Sequence, residues 1–247
     1  QVLLCLTILA YGCASKKETQ TEKIESFAKS FYLKKESRMH TLKISDKLKK
    51  RVDKWIGVFS GDFKTTFAQY LNNGQPYKKM IQGILKEHGV PEELYFLPVI
   101  ESGYVMKATS HMGAVGPWQF IRATGRRYGL TVNSYVDERR NIYKATQAAA
   151  THLRDLYNIF GTWELALASY NAGINRITGL VIKGSNREFS KLVELGILPD
   201  ETEDYIPKFI AAAMIGSDPG KYGFEIKEVK NFLDEHETVQ VPAGIGL

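Results

Sequence analysis

The chain has 247 residues, 44% hydrophobic and 24% charged, the composition of an ordinary soluble globular protein with room for one substantial domain plus a tether, or for two small domains. Its formal charge of +6 is unevenly spread: Lys16 to Arg51 holds 12 Lys/Arg against 5 Asp/Glu, whereas Val52 to Leu247 holds 21 against 22. A body that close to neutral lacks the electrostatic footprint of a DNA or RNA binder, so no nucleic-acid partner is expected.

At the start, Val2 to Ala10 (VLLCLTILA) is an apolar run too short to span a bilayer, and it fits the hydrophobic region of a secretory signal peptide. It leads into Ala10-Tyr11-Gly12-Cys13, which resembles the lipobox of bacterial lipoproteins, although Ala10 stands where Leu is usual and Tyr11 is bulkier than usual. That resemblance implies a signal peptide over residues 1–13 and a lipid on Cys13, hence a membrane anchor; a plain cleaved signal with an incidental Cys is the alternative. No initiating Met precedes the run, so the chain reads as clipped at its start. Residues 14–50 read as a basic tether and amino-terminal helical region, whose lysines favour an anionic lipid surface.

Leu48, Val52 and Trp55-Ile56 fall at helical spacing and predict an amphipathic helix over Ser45 to Phe59. Asn72-Asn73-Gly74-Gln75-Pro76 predicts a turn, followed by a short helix over Tyr77 to His88 that Gly89 stops. Pro91, with Glu92 and Glu93 behind it, starts a helix that carries Leu94, Leu97 and Ile100 inward, kinks at Pro98 and ends between Glu101 and Gly103. Gly103 to Gly116 is rich in small residues and suits a loop. From Asp137 to Phe160, Ile142, Ala145, Ala149, Leu153, Leu156 and Phe160 recur every three or four residues, and Gly161 supplies the stop. Thr162 caps the next helix, which leads to Asn171-Ala172-Gly173; a last one covers Asp204 to Ile215, with Ile206, Phe209, Ile210 and Ala213 inward. No long alternating strand pattern appears, so the fold class is mainly α over residues 51–223, with residues 224–247 as a tail.

The two cysteines, Cys5 and Cys13, lie outside the globular part, which excludes a disulfide framework, a thiol nucleophile or a Cys-based metal site there. The five histidines lack HExxH or other ligand spacing and the serines lack GxSxG, so neither a metal, a cofactor nor a hydrolase triad is expected. Glu101 stands out instead. It follows the apolar run Leu97-Pro98-Val99-Ile100, and apolar surroundings disfavour an ionised carboxylate. A carboxyl that holds its proton near neutral pH is what general acid catalysis needs. On that residue alone, an idle Glu on the wet side of a helix end is the alternative.

Four motifs decide between them. Glu101-Ser102, Gly113-Ala114-Val115-Gly116-Pro117-Trp118-Gln119-Phe120, Ala168-Ser169-Tyr170-Asn171-Ala172-Gly173 and Glu201-Thr202-Glu203-Asp204-Tyr205-Ile206 occur in the order seen in family 1 of the murein lytic transglycosylases, the soluble lytic transglycosylase type, which the chain resembles. GPWQF with ELYFLPVIES before it is most similar to the membrane-bound D type. The resemblance implies a lysozyme-like α fold that cleaves the β-1,4 bond between N-acetylmuramic acid and N-acetylglucosamine without water and leaves 1,6-anhydro-muramic ends. It also implies a cofactor-free monomer acting on peptidoglycan glycan strands, lipid-anchored in the outer membrane and facing the periplasm. Residue by residue, it makes Glu101 the catalytic acid and base, Ser110 a neighbour of the muramic acetamido group and Gln119 a substrate-binding side chain. Tyr170 and Asn171 line the cleft, and Tyr205 contacts or orients the carboxyl. Plainer readings are a turn closed by Ser110, core filling by Tyr170, a helix end capped by Asn171 and helix packing by Tyr205. Trp118 reads as a core anchor rather than a sugar-stacking platform. Ile121 replaces a usual methionine and is still apolar. D-type proteins usually carry LysM repeats after this domain; residues 224–247 read as a truncated link toward them, the alternative being that wall binding relies on the cleft and lipid anchor alone.

Ordinary glycosidases use two carboxylates. Ser102 to Thr124 contains none, which leaves Asp137, Glu138 and Glu164 as partners that only three dimensions can bring near. One carboxyl suffices if the substrate's own 6-hydroxyl attacks. The competing functions are a hydrolytic muramidase of goose-lysozyme type and an inactive peptidoglycan-binding lipoprotein.

Overall fold

The computed structural model describes Thr19, Glu22, residues 46–227, Val229 and Lys230. The signal run, Cys13, most of the tether and most of the tail lie outside the described residues. Ten α-helices occur among those described: α1 (Asp46–Ser60), α2 (Lys64–Gly74), α3 (Lys78–Glu87), α4 (Leu97–Glu101), α5 (Arg122–Arg127), α6 (Ile142–Phe160), α7 (Trp163–Ala172), α8 (Ile174–Gly184), α9 (Phe189–Glu194) and α10 (Asp200–Ser217). Short 3-10 turns join several of them, and the only β pairing among the described residues is three isolated bridges, so the mainly α expectation holds.

The core is organised around α10. Ile206, Phe209, Ile210 and the run Ala211 to Ile215 are buried, so this helix is apolar nearly all round, as a central helix must be. It packs against α1, α7 and α4, while α6 backs α7 and α3. Where α10 approaches α1 its first turns are acidic and the partner is basic. Arg51 Nη2 meets Glu203 Oε1 at 2.9 Å, Arg51 Nη1 meets Asp204 Oδ1 at 2.5 Å, and Lys47 reaches Glu203 at 2.7 Å. Glu203 is buried, so these cations are what make its placement tolerable.

Several elements lie where their sequence signals put them. α6 starts with Asn141 Oδ1 accepting from Lys144 N at 3.0 Å and stops at Gly161; α7 starts with Thr162 Oγ1 accepting from Leu165 N. Trp118 is fully buried, its Nε1 donating to Thr146 Oγ1 at 2.9 Å, which makes it the core anchor expected. Other expectations are corrected. Asn72-Asn73-Gly74 is not a turn but the last turn of α2, because Phe67 and Leu71 are buried and the amides find partners in the fold: Asn72 Nδ2 donates to Ala68 O, Asn73 Nδ2 to Gly103 O. The stretch after Pro91 is not one kinked helix. A 3-10 segment, Glu92–Phe96, gives way to α4, where Pro98 sits in the first turn and its missing N–H matters little. Ile100 is half-buried and faces the cleft. The long helix from Asp137 begins instead as a 3-10 turn at Glu138–Arg140, with Ile142 the first α residue. α8 and α9 had no sequence signal strong enough to predict them.

Candidate active site

Glu101 lies where two arms of a cleft adjoin. On one side lies a recess of ≈ 380 Å³ walled by Phe63, Tyr70, Val99 and Thr109, and on the other a groove of ≈ 1360 Å³ walled by parts of α1, α5, α6, α7, α8 and α10. Glu101, Ile100, Ser110, Gln119 and Lys208 line both. Glu101 ends α4, so the apolar residues that bury this helix hold the carboxyl at the edge of the core. Burial is the largest influence on it and pushes its pKa up to about 6; the Tyr205 hydrogen bond and the Lys208 charge pull down, and the Glu201 charge pushes up. Tyr205 Oη donates to Glu101 Oε1. Burial together with the charge of Glu101 drives the phenol of Tyr205 well above its ordinary range, so it stays protonated and remains a donor.

The loop opposite is held by hydrogen bonds rather than by a sheet. Ser110 Oγ accepts from Ala114 N at 3.1 Å, Val115 and Phe120 exchange backbone bonds at 3.0 and 3.1 Å, and Gly116 N donates to Ala108 O. Gly116 has φ 82°, and a Cβ there would stand 1.9 Å from Arg139 O, so only glycine fits. Gln119 is held at φ 50°, an uncommon conformation for a side-chain-bearing residue, and its Nε2 donates to Gly116 O at 2.8 Å. The guanidinium of Arg139, 4% exposed, donates to Gly113 O and Phe120 O and pairs with Asp137 at 2.7 Å. It staples the loop from behind. Nothing in the run Glu138-Arg139-Arg140 distinguishes this arginine from a solvated one.

The larger groove collects the remaining candidates. Tyr170 Oη donates to Trp118 O at 2.6 Å, which connects the cleft wall to the core anchor. Its ring lies 5.2 Å from that of His152, which in turn sits tilted at 4.6 Å from the ring of Tyr128. Burial lowers the His152 pKa to about 4, so this imidazole is neutral. Asn171 Nδ2 donates to Glu201 Oε1 at 3.4 Å, and Thr202 Oγ1 donates to Asn171 Oδ1 at 3.5 Å. All six residues singled out in the sequence (Glu101, Ser110, Gln119, Tyr170, Asn171, Tyr205) therefore meet on one cleft, and Ser110 closes a turn while doing so. Asn171 lies inside the last turn of α7 rather than capping it.

The three carboxylates left open do not join them. Asp137 is held by Arg139, Glu138 by Lys144 and Thr131 N, and Glu164 lines neither arm, its carboxyl raised by burial to about 7. Glu201, which the sequence did not single out, does line the groove and acts electrostatically on Glu101. So does Lys208. Both lie on the face of α10 that carries Tyr205, a relation visible as i, i+4, i+7 spacing once Tyr205 is known to face the cleft.

Residues 79–192 match the family model for the transglycosylase SLT domain. Over 157 residues the chain is 36% identical to the membrane-bound lytic murein transglycosylase D of Escherichia coli, a stretch covering 62% of this chain and 34% of that protein. It is 29% identical over 114 residues to a putative tributyltin chloride resistance protein of an Alteromonas species, covering 46% of this chain and 55% of that one. The X-ray structure of an inactive mutant of the lytic transglycosylase Slt from Pseudomonas aeruginosa aligns with a TM-score of 0.49 at 21% identity, over 60% of this chain and 25% of that one. The chain thus spans about a third of the length of its E. coli relative.

Proposed function

From a chain that carries a transglycosylase SLT domain over residues 79–192, we infer a lytic transglycosylase that cleaves the β-1,4 bond between N-acetylmuramic acid and N-acetylglucosamine in peptidoglycan. The observation that carries this reading is the Glu101 carboxyl, raised to about 6 where the two arms of an open cleft adjoin and held by a protonated tyrosine. Such a group is protonated often enough near neutrality to donate and basic enough afterwards to accept. Glu101 gives its proton to the glycosidic oxygen as the bond to the muramic C1 breaks, and the electron pair leaves with that oxygen. The neighbouring N-acetyl oxygen stabilises the cation at C1. The Glu101 carboxylate then takes the proton of the same sugar's 6-hydroxyl while its oxygen bonds to C1, closing the 1,6-anhydro ring and restoring the acid. Proton transfer of this kind contributes about 10²–10⁴-fold, and an attacking hydroxyl already on the substrate adds an intramolecular advantage.

Ser110, Gln119, Tyr170 and Asn171 are in this reading the polar groups that orient the sugars, and Tyr205 the donor that sets the carboxyl. Glu201 is the group a hydrolytic mechanism would recruit to activate water. Its Oε1 already accepts from Asn171, and its negative charge helps keep the Glu101 proton in place. Mass spectrometry of digested sacculi separates the possibilities. Anhydro ends, persisting in Glu201→Gln, are expected; reducing ends that vanish in Glu201→Gln would show a hydrolase, and intact sacculi a binding protein. Among the described residues no helix is long and apolar enough to cross a membrane. We take the protein to be a monomer of the cell envelope, held to the outer membrane by a lipid on Cys13, which Cys13→Ser would release in a fractionation of the whole precursor.

A further inference from the structure

Lys208 takes no part in the proton transfers just described, yet it stands beside them. It projects from α10 three residues after Tyr205 and seven after Glu201, on the face turned to Glu101, and lines both arms of the cleft. The residue is half-buried, and none of the ion pairs between described residues involves it. Instead its Nζ lies over the Trp55 ring of α1, 5.3 Å from the centroid. Partial burial disfavours an ammonium group, and here the carboxyl groups of Glu101 and Glu201 act on it at the cleft. Neither Trp55 nor Lys208 falls within residues 79–192.

We propose that Lys208 is a positioning residue for Glu101: the Trp55 ring holds its ammonium group at the cleft so that the carboxylate left by proton donation faces a positive charge. The proposal rests on the reading of Glu101 as acid and base. Burial lowers the proton affinity of Lys208, and the charges of Glu101 and Glu201 raise it again; reciprocally, Lys208 pulls Glu101 back from the value burial would impose. The other groups facing Glu101 do not duplicate this. From α10, Tyr205 is a neutral donor, Glu201 is negative, and Asp204 is paired with Arg51 and Lys54. Tyr170 of α7 is kept protonated, and Tyr70 of α2 is a second phenol on the wall. His152 of α6 is neutral beside Asp155, and Arg127 and Arg176 stand on α5 and α8; Lys208 is the cation whose charge registers on Glu101.

The test is a carboxyl ¹³C NMR titration of Glu101 in the full chain, run beside the pH profile of kcat/KM on glycan fragments. In Lys208→Met the Glu101 midpoint is expected to rise by about one pH unit, with the alkaline limb of the profile moving alongside, while Lys208→Arg keeps both near wild type. Trp55→Leu, which loosens the ammonium without removing it, shifts the midpoint the same way by less. An unmoved midpoint in Lys208→Met overturns the proposal, and should that variant not fold, an unmoved midpoint in Trp55→Leu does so. The titration reads the carboxyl whether or not the enzyme makes anhydro ends. A shifted midpoint in a protein yielding only reducing ends would therefore retain the charge pairing and remove the transglycosylase reading, whereas an unmoved midpoint in an active transglycosylase removes Lys208 alone.

Discussion

Glu101→Gln should make the protein inactive and more stable, with the stability gain appearing only as the pH rises. The folded-state pKa of Glu101 is about 6 against an ordinary 4.5, a difference of 1.5 units. At 1.36 kcal/mol per unit, ionising this carboxyl in the folded protein costs about 2 kcal/mol more than in the unfolded chain. Because the shift is upward, the wild type has its full stability below pH 4.5 and loses the increment as the pH rises through 6. Gln cannot ionise, and its carbonyl still accepts from Tyr205, so the variant keeps what the wild type loses. Solvent on the open side of the cleft trims the difference to about 1–2 kcal/mol, which for a domain of this size is roughly 2–8 °C in Tm. Thermal unfolding of both proteins at pH 4.5, 6 and 8 checks this. The curves should nearly coincide at pH 4.5 and separate, variant higher, by pH 8. A separation that is equal at all three pH values, or a wild type that is the more stable at pH 8, would refute the claim that burial raises this carboxyl, and with it the physical basis for its acid role. In the same variant, cleavage of sacculi should fall by at least about 10³-fold.

Tyr205→Phe removes the strongest influence that favours the Glu101 carboxylate, so the alkaline limb of the kcat/KM profile should move to higher pH and the maximal rate fall about tenfold; an unshifted limb would assign Tyr205 to packing alone. Arg139→Met leaves Asp137 without its guanidinium and two loop carbonyls without donors, and chemical denaturation should show a loss of about 3–5 kcal/mol. Activity should fall further than stability explains, since Gln119 and Ser110 ride on that loop. Thr146→Val strands the fully buried Trp118 N–H, a loss of about 1–3 kcal/mol in the same assay, while KM for glycan fragments stays unchanged.

The helices that the sequence determined are those whose stabilising terms are local. α6 and α10 announce themselves by apolar periodicity, and the caps of α6 and α7 are made by side chains one turn from the groups they satisfy. Glu101 was likewise marked by its own neighbours, because an apolar run before a carboxyl is visible without knowing the fold. Tertiary structure decided the rest. α2 ends in residues that favour turns by themselves, and it persists because Asn73 reaches Gly103, thirty residues on, while Phe67 is covered by the core. Whether Arg139 is solvated or a buried staple depends on where Gly113 and Phe120 come to lie. Glu201 and Lys208 became neighbours of Glu101 only when α10 packed beside α4, and the charge that sets a proton's affinity falls off with distance through space, not along the chain.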